Sequence, residues 1–233
     1  MYEWNESPEC HEMIITIYCS KGGTGKTPIA TNIVLDREYA IGTNETLHDF
    51  DSFLPDDRVL PVEMEEEFPT IPADVDIVFD LAGFMSNQAH SIVSAVKQSN
   101  LVIVPFHNEA KAINHGIDTI AEINALTPNI LAVATKLRKT RKENKRTPWN
   151  DTEAFKNIAK RVRAEIDFKV PILPLKESTV FDMLYEREMS IAQLCESDPL
   201  AAYNFKDVRE QFQAIYNYID EIDHATKEQR KSA

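Results

Sequence analysis

Residues 14–27, IITIYCSKGGTGKT, constrain the fold more than any other stretch of the chain. Ile14 to Cys19 read as a buried strand, a turn with three glycines follows, and PIATNIVL then opens a helix. Gly22, Gly23 and Gly25 let the backbone curl with its N–H groups inward, and the helix behind them points its positive dipole end at the same spot. Thr24 lies inside that curl, Lys26 has the reach to contact β- and γ-phosphates, and the Thr27 hydroxyl can ligate Mg²⁺. The stretch therefore reads as a phosphate site, built where a parallel strand hands over to a helix.

The rest of the chain supplies the strands and helices such a unit needs. Tyr39 to Thr43 reads as a short second strand, and Glu45 to Asp80 follows as a loop-rich segment with twelve carboxylates, one arginine and four prolines that break any long helix. Val75 to Asp80 is apolar enough for a strand whose C-terminal end presents Asp80, three residues before Gly83. A helix over 87–99, a doubly covered strand at Leu101 to Pro105, a helix over 109–126 and a strand over 130–134 come next. They are followed by an amphipathic helix over 151–166 with Asp151 as its N-cap, and by a proline-flanked strand over 170–175. Short helices near 179–187 and 190–195, and a long one over 203–226, complete the chain. The alternation of strand and helix predicts an α/β fold with a doubly wound, mostly parallel sheet and helices on both faces. Residues 1–12 lack periodicity and read as a short arm, leaving 13–233 as a single domain.

Composition narrows the setting. No apolar run approaches the length that spans a bilayer, and the acidic N-terminus lacks the basic region of a signal peptide, so a cytoplasmic protein is expected. The three cysteines, Cys10, Cys19 and Cys195, are too few and too scattered for a disulfide framework or a thiolate metal site. The net charge of −13 argues against a surface that binds nucleic acid throughout. Yet residues 136–146 alone carry +6, leaving −19 on the other 222. Such separation marks a local anion-binding patch on an acidic body.

The heptapeptide Lys21-Gly22-Gly23-Thr24-Gly25-Lys26-Thr27 has the form K-G-G-x-G-K-[ST] and resembles the ParA/MinD family of deviant Walker A P-loop ATPases, with small ParA-like partition proteins nearest. Val75 to Gly83 is similar to the family's Walker B and switch II segment. Across the whole chain the likeness is in element order; motif identity is confined to residues 20–27 and, less firmly, 76–83. The resemblance implies ATP and Mg²⁺ as cofactors, with Asp80 orienting the metal through water and Lys21 reaching the phosphates of a partner in a homodimer formed on ATP binding. It further implies nonspecific DNA, a centromere-binding adaptor protein, and an ATP hydrolysis step that is slow and partner-stimulated, in plasmid or chromosome partition, on a nucleoid-associated cytoplasmic protein.

Two departures stand out. Pro28 replaces a hydroxyl residue that often contacts phosphate in the family. The family's D-x-D-P-Q element is also missing. If the second strand ends at Thr43, Asn44 stands at the aspartate position; if the polar stretch is longer, Asp49-Phe50-Asp51 supplies the D-x-D part. Asp49 is carried as a catalytic candidate beside Lys21 and Lys26, with both registers open.

The basic run reads as a solvated loop, as a nucleotide-base flank, or as a DNA patch formed by Arg138, Lys139, Arg141, Lys142, Lys145 and Arg146. The patch accounts best for the charge separation. Membrane attachment in the MinD manner is disfavoured, because the last helix carries Asp207, Glu210, Asp220, Glu221 and Asp223 on its polar side. Two rivals are kept: a nucleotide-dependent regulator or scaffold that does not hydrolyse ATP, and a MinD-like positioning ATPase. A dethiobiotin-synthetase-like ligase is disfavoured by the Lys-Gly-Gly element.

Overall fold

The computed structural model describes residues 13–83 and 90–232; the N-terminal arm lies outside them, as do residues 87–89 of the helix expected at 87–99. The core is one sheet of seven parallel strands, β1 (Ile14–Ile17), β2 (Ala40–Thr43), β3 (Val59–Pro61), β4 (Ile77–Asp80), β5 (Leu101–His107), β6 (Ile130–Leu137) and β7 (Ile172–Lys176), in the order β3-β2-β4-β1-β5-β6-β7. The chain builds outward to one side of β1 and then to the other, so the phosphate loop after β1 sits where the winding reverses. Crevices for ligands open at such points, beyond the carboxyl ends of the strands.

Among the described residues eight α-helices cover the two faces: α1 (Lys26–Arg37), α2 (His90–Gln98), α3 (Ala110–Asn124), α4 (Glu153–Glu165), α5 (Val180–Arg187), α6 (Ile191–Ser197), α7 (Pro199–Asn204) and α8 (Lys206–Ser232). Strand parity divides the core. Ile15, Ile17, Ile41, Val78 and Ile103 point toward α1, α5, α6 and α8, whereas Phe79, Leu81, Val102 and Val104 point toward α2, α3 and α4. Fully burying each such side chain contributes roughly 1.5–3 kcal/mol, which is why strands covered on both faces read as near-continuous apolar runs.

Three expectations are corrected. β3 was hidden in the acidic segment, because three residues at a sheet edge leave almost no pattern; it is anchored by Arg58, whose guanidinium donates to the carbonyls of Val34 and Tyr39. Thr152, rather than Asp151, caps α4, accepting from the Phe155 N–H at 3.3 Å. The long final helix begins at Lys206, because the short α7, with Asp198 as its N-cap and Pro199 in its first turn, takes up residues 199–204.

Candidate functional site

The phosphate loop is shaped by two glycines in the left-handed region, Gly23 at φ 70° and Gly25 at φ 96°. A side chain at either position would cost about 1–2 kcal/mol in backbone strain. A Cβ on Gly22 or Gly23 would meet nothing within 4 Å, so the loop is an open cradle. Its inner wall is held by Thr135 of β6, whose hydroxyl donates to the Thr24 carbonyl at 2.7 Å, and by the Thr24 hydroxyl, which donates to the Lys21 carbonyl at 3.4 Å. Gly83 closes the far side: a Cβ there would lie 2.9 Å from both the Gly22 nitrogen and the Lys21 carbonyl carbon.

Helix α1 starts in this cradle with Gly25 at its N-cap, no side chain bonded to its first turn and no acidic residue in that turn. By contrast, α6 is closed by a capping box between Ser190 and Gln193. The amide donors at the start of α1 are thus left for an anion, which the helix dipole also favours.

Asp80 ends β4, in register with Ile17 of β1 and Thr43 of β2. It is 1% exposed, and neither carboxylate oxygen has a hydrogen-bond partner of normal geometry. Burial pushes its pKa up to about 7; the Thr27 hydroxyl and the Lys26 ammonium draw it down, and the Glu45 carboxylate adds to the rise. Lys26 is itself buried, at 6% exposure. An orphaned buried carboxylate facing a threonine hydroxyl is a hard-oxygen donor pair that suits Mg²⁺, and binding such a cation would remove the cost of leaving the carboxylate unsatisfied. Among the described residues no group of three or more His, Cys, Asp or Glu could hold a metal. The remaining ligands of a Mg²⁺ here would come from water and phosphate oxygens, as is usual for this ion.

The structure thus brings together Lys21, Gly22, Gly23, Thr24, Gly25, Lys26, Thr27 and Asp80. Lys21 turns toward Glu109, its Nζ 3.8 Å from Oε2, and His107 Nε2 meets the same oxygen at 2.9 Å. The hydrogen bond with His107 and the charge of Lys21 hold the Glu109 carboxyl below the usual carboxylate range. Neither His107 nor Glu109 was legible as a site residue, since nothing in the sequence links the end of β5 to the first lysine of the loop.

The strand does end at Thr43, so Asn44 stands at its C-terminal edge. Asp49 is exposed and begins a short 3₁₀ turn over Phe50–Ser52, and Asp51 lies 3.9 Å from His48 Nδ1. Pro28 lines a cavity of about 710 Å³ beside the loop, together with Gly25, Thr135, Phe181, Asp182 and Phe205.

The basic run leaves the end of β6, where Lys136 has φ 52° and the pairing with β7 shifts register. Arg138 is bound through its guanidinium to the Glu177 carboxylate. Lys139 lies over the Trp149 ring, 4.6 Å from its centroid, and donates to the Lys145 carbonyl at 2.9 Å. Arg141, Lys142, Lys145 and Arg146 are exposed, and none makes an ion pair among the described residues. Arg138 and Lys139 are therefore occupied by the protein itself, while the other four face outward.

No protein-family model matches the sequence, and no curated protein matches it either. Solved structures do. Apo McdA of Cyanothece superposes with a TM-score of 0.60 at 11% identity, covering 90% of this chain and 100% of that one. MinD of Aquifex aeolicus gives 0.53 at 16% identity, with 87% and 97% covered. MinD of Pyrococcus horikoshii, complexed with Mg-ADP, gives 0.52 at 14% identity, with 89% and 98% covered. Seven parallel strands wound about a glycine cradle, superposable on these proteins over nearly their full lengths, give the chain the P-loop fold that MinD and McdA share.

Proposed function

We propose that the chain is an ATP-binding protein of the ParA/MinD kind, a positioning or partition ATPase that binds ATP with Mg²⁺ and assembles through the bound nucleotide. One observation carries the reading: an uncapped helix N-terminus in an open glycine cradle faces Lys26, Thr27 and a buried Asp80 whose two oxygens have no partner. In this reading the amides and Lys26 hold the phosphate chain, and Thr27 and Asp80 hold Mg²⁺, which neutralises charge on the β- and γ-phosphates. Lys21 leaves Glu109 and reaches the phosphates of a second copy in a homodimer. The four outward-facing basic residues bind DNA phosphates without reading sequence, and a centromere-binding adaptor stimulates turnover.

A second reading, an ATP-dependent regulator that does not hydrolyse, is favoured by Asn44, an amide at the position where the resemblance calls for an aspartate. Size-exclusion chromatography with light scattering on the apo, ADP and ATP forms tests the main reading beside Lys21→Ala and Lys26→Ala. The expected outcome is an ATP-dependent dimer, loss of nucleotide binding in Lys26→Ala, and retained binding without productive turnover in Lys21→Ala. An ATP-bound monomer throughout would remove the role given to Lys21. Phosphate release separates the two readings.

A further inference from the structure

The two limbs of the phosphate loop are held by different elements. The second limb is tied to β6, where the Thr135 hydroxyl donates to the Thr24 carbonyl at 2.7 Å. The first limb, Ser20 and Lys21, is tied to α3. Ser20 stands where the general pattern G-x-x-x-x-G-K-[ST] has glycine, and it is buried. Its N–H donates to Thr119 Oγ1 at 3.2 Å, the Thr119 hydroxyl donates to Ser20 Oγ at 3.2 Å, and Ser20 Oγ meets His115 Nδ1 at 3.1 Å. Because the Thr119 proton is directed at the Ser20 oxygen, the Ser20 proton is left for the imidazole, and His115 Nδ1 is the acceptor.

Helix α3 is built for this hold. His115 and Thr119 are four residues apart, so they lie one above the other on the same face. Gly116 between them lets the helix approach the Phe106 ring of β5, where a Cβ would come within 2.5 Å. The start of the same helix also meets the Lys21 side chain: Glu109, its N-cap, lies 3.8 Å from Lys21 Nζ. The backbone entry to Lys21 and its ammonium are both referred to α3, whereas Lys26 opens α1 behind the limb that β6 holds.

We propose that His115 is a positioning residue for Lys21: through Ser20 it fixes the root of the Lys21 side chain, and so sets the strength of ATP-dependent assembly. The inference rests on the nucleotide reading above and on the role given there to Lys21. A lysine ammonium sits on a flexible four-carbon stem, so its reach toward a second copy is aimed only as well as its backbone is held. The grip on the phosphate chain stays with the loop amides and Lys26, which do not depend on α3.

The test uses the full chain with Mg²⁺ and ATPγS and measures two quantities. One is nucleotide affinity at low chain concentration, where the monomer dominates; the other is the dimerisation constant, read by light scattering over a range of concentrations. The variants are Ser20→Ala, His115→Leu, His115→Asn, the double variant Ser20→Ala with His115→Leu, and Asp118→Asn, an exposed control on α3. Ser20→Ala and His115→Leu are each expected to weaken dimerisation about tenfold, because every dimer loses the bond twice at roughly threefold apiece. ATPγS affinity of the monomer should be unchanged. The double variant should be no worse than Ser20→Ala alone, since both changes remove the same bond. His115→Asn should recover most of the loss, its Oδ1 taking the place of Nδ1 as acceptor. Asp118→Asn should match wild type in both quantities. Should His115→Leu fail to fold, Ser20→Ala against His115→Asn makes the same comparison. Unchanged dimerisation in Ser20→Ala and His115→Leu, an equal loss of monomer ATPγS affinity, additive losses in the double variant, or no recovery in His115→Asn overturns the proposal. Wild type that binds ATPγS but stays monomeric at every concentration overturns it together with the role of Lys21, while leaving nucleotide binding intact. Failure of wild type to bind ATPγS removes both readings.

Discussion

A carboxylate taken out of water is unfavourable unless its charge is fully compensated, and buried Asp80, with neither oxygen in a hydrogen bond of normal geometry, is only partly offset by the Thr27 hydroxyl and the Lys26 ammonium. Its pKa of about 7, against 3.8 for the free side chain, means that the folded protein holds a proton there which the unfolded chain has already lost. The folded state therefore binds more protons between about pH 4 and pH 7, and stability falls as pH rises through that window, by up to about 4 kcal/mol. Without Mg²⁺ and nucleotide, the melting temperature of wild type should drop on going from pH 5 to pH 8. Asp80→Asn should flatten that slope, raise stability at pH 8 by on the order of 2 kcal/mol, and abolish the Mg²⁺ dependence of nucleotide binding. Thermal melts at the two pH values check the first two effects, and ADP titrations with and without Mg²⁺ the third. A wild-type slope of the opposite sign would mean that Asp80 is ionised and satisfied in the apo protein.

At the level of elements, local signals and tertiary contacts divide the work. α4 shows this well. Thr152 accepts from the Phe155 N–H, while the neighbouring Asp151 instead bridges Lys156 at 3.0 Å on the surface. Capping bonds are worth about 1 kcal/mol, and exposed ion pairs usually less. Thr152→Ala should therefore lower stability by about 1 kcal/mol, and Asp151→Ala by a few tenths, measured as shifts in the urea midpoint at constant m-value. The reverse ranking would restore Asp151 as the cap. α3 is positioned by a contact that the pattern of Ile113, Ile117 and Ile120 only half suggests: Gly116 lies against the Phe106 ring of β5, where a Cβ would approach to 2.5 Å.

Across the whole molecule, the parallel order puts the glycine loop, Asp80 and the start of the basic run at the carboxyl ends of β1, β4 and β6, on the same edge of the sheet. The formal charge of −13 is thereby interrupted on this side by Arg141, Lys142, Lys145 and Arg146. If these four contact DNA phosphates, affinity should fall roughly 10²-fold between 50 and 200 mM salt for one chain, following the release of about four counter-ions. Replacing all four by alanine should remove binding and its salt dependence together, without shifting the melting temperature by more than a few degrees, since none of them makes an ion pair among the described residues. Filter binding at the two salt concentrations reads the effect. Binding that is insensitive to salt would exclude the patch.

The sequence by itself determined the phosphate loop, the parallel α/β architecture and the placement of Asp80 at a strand end. Glycine geometry, a buried strand and helical spacing are local properties, written in consecutive residues. It could not say where the second strand ends, nor that His107, Glu109 and Thr135 would lie against the loop. Those assignments depend on which strands pair, and in what register. A parallel sheet makes neighbours of residues tens of positions apart, and a side chain's face is fixed by the parity of the strand it ends. Only the register of β2 against β4 decided that Thr43 lies beside Asp80, and only the packed structure turned Asn44 toward Ser91 of α2 and the Ala82 N–H.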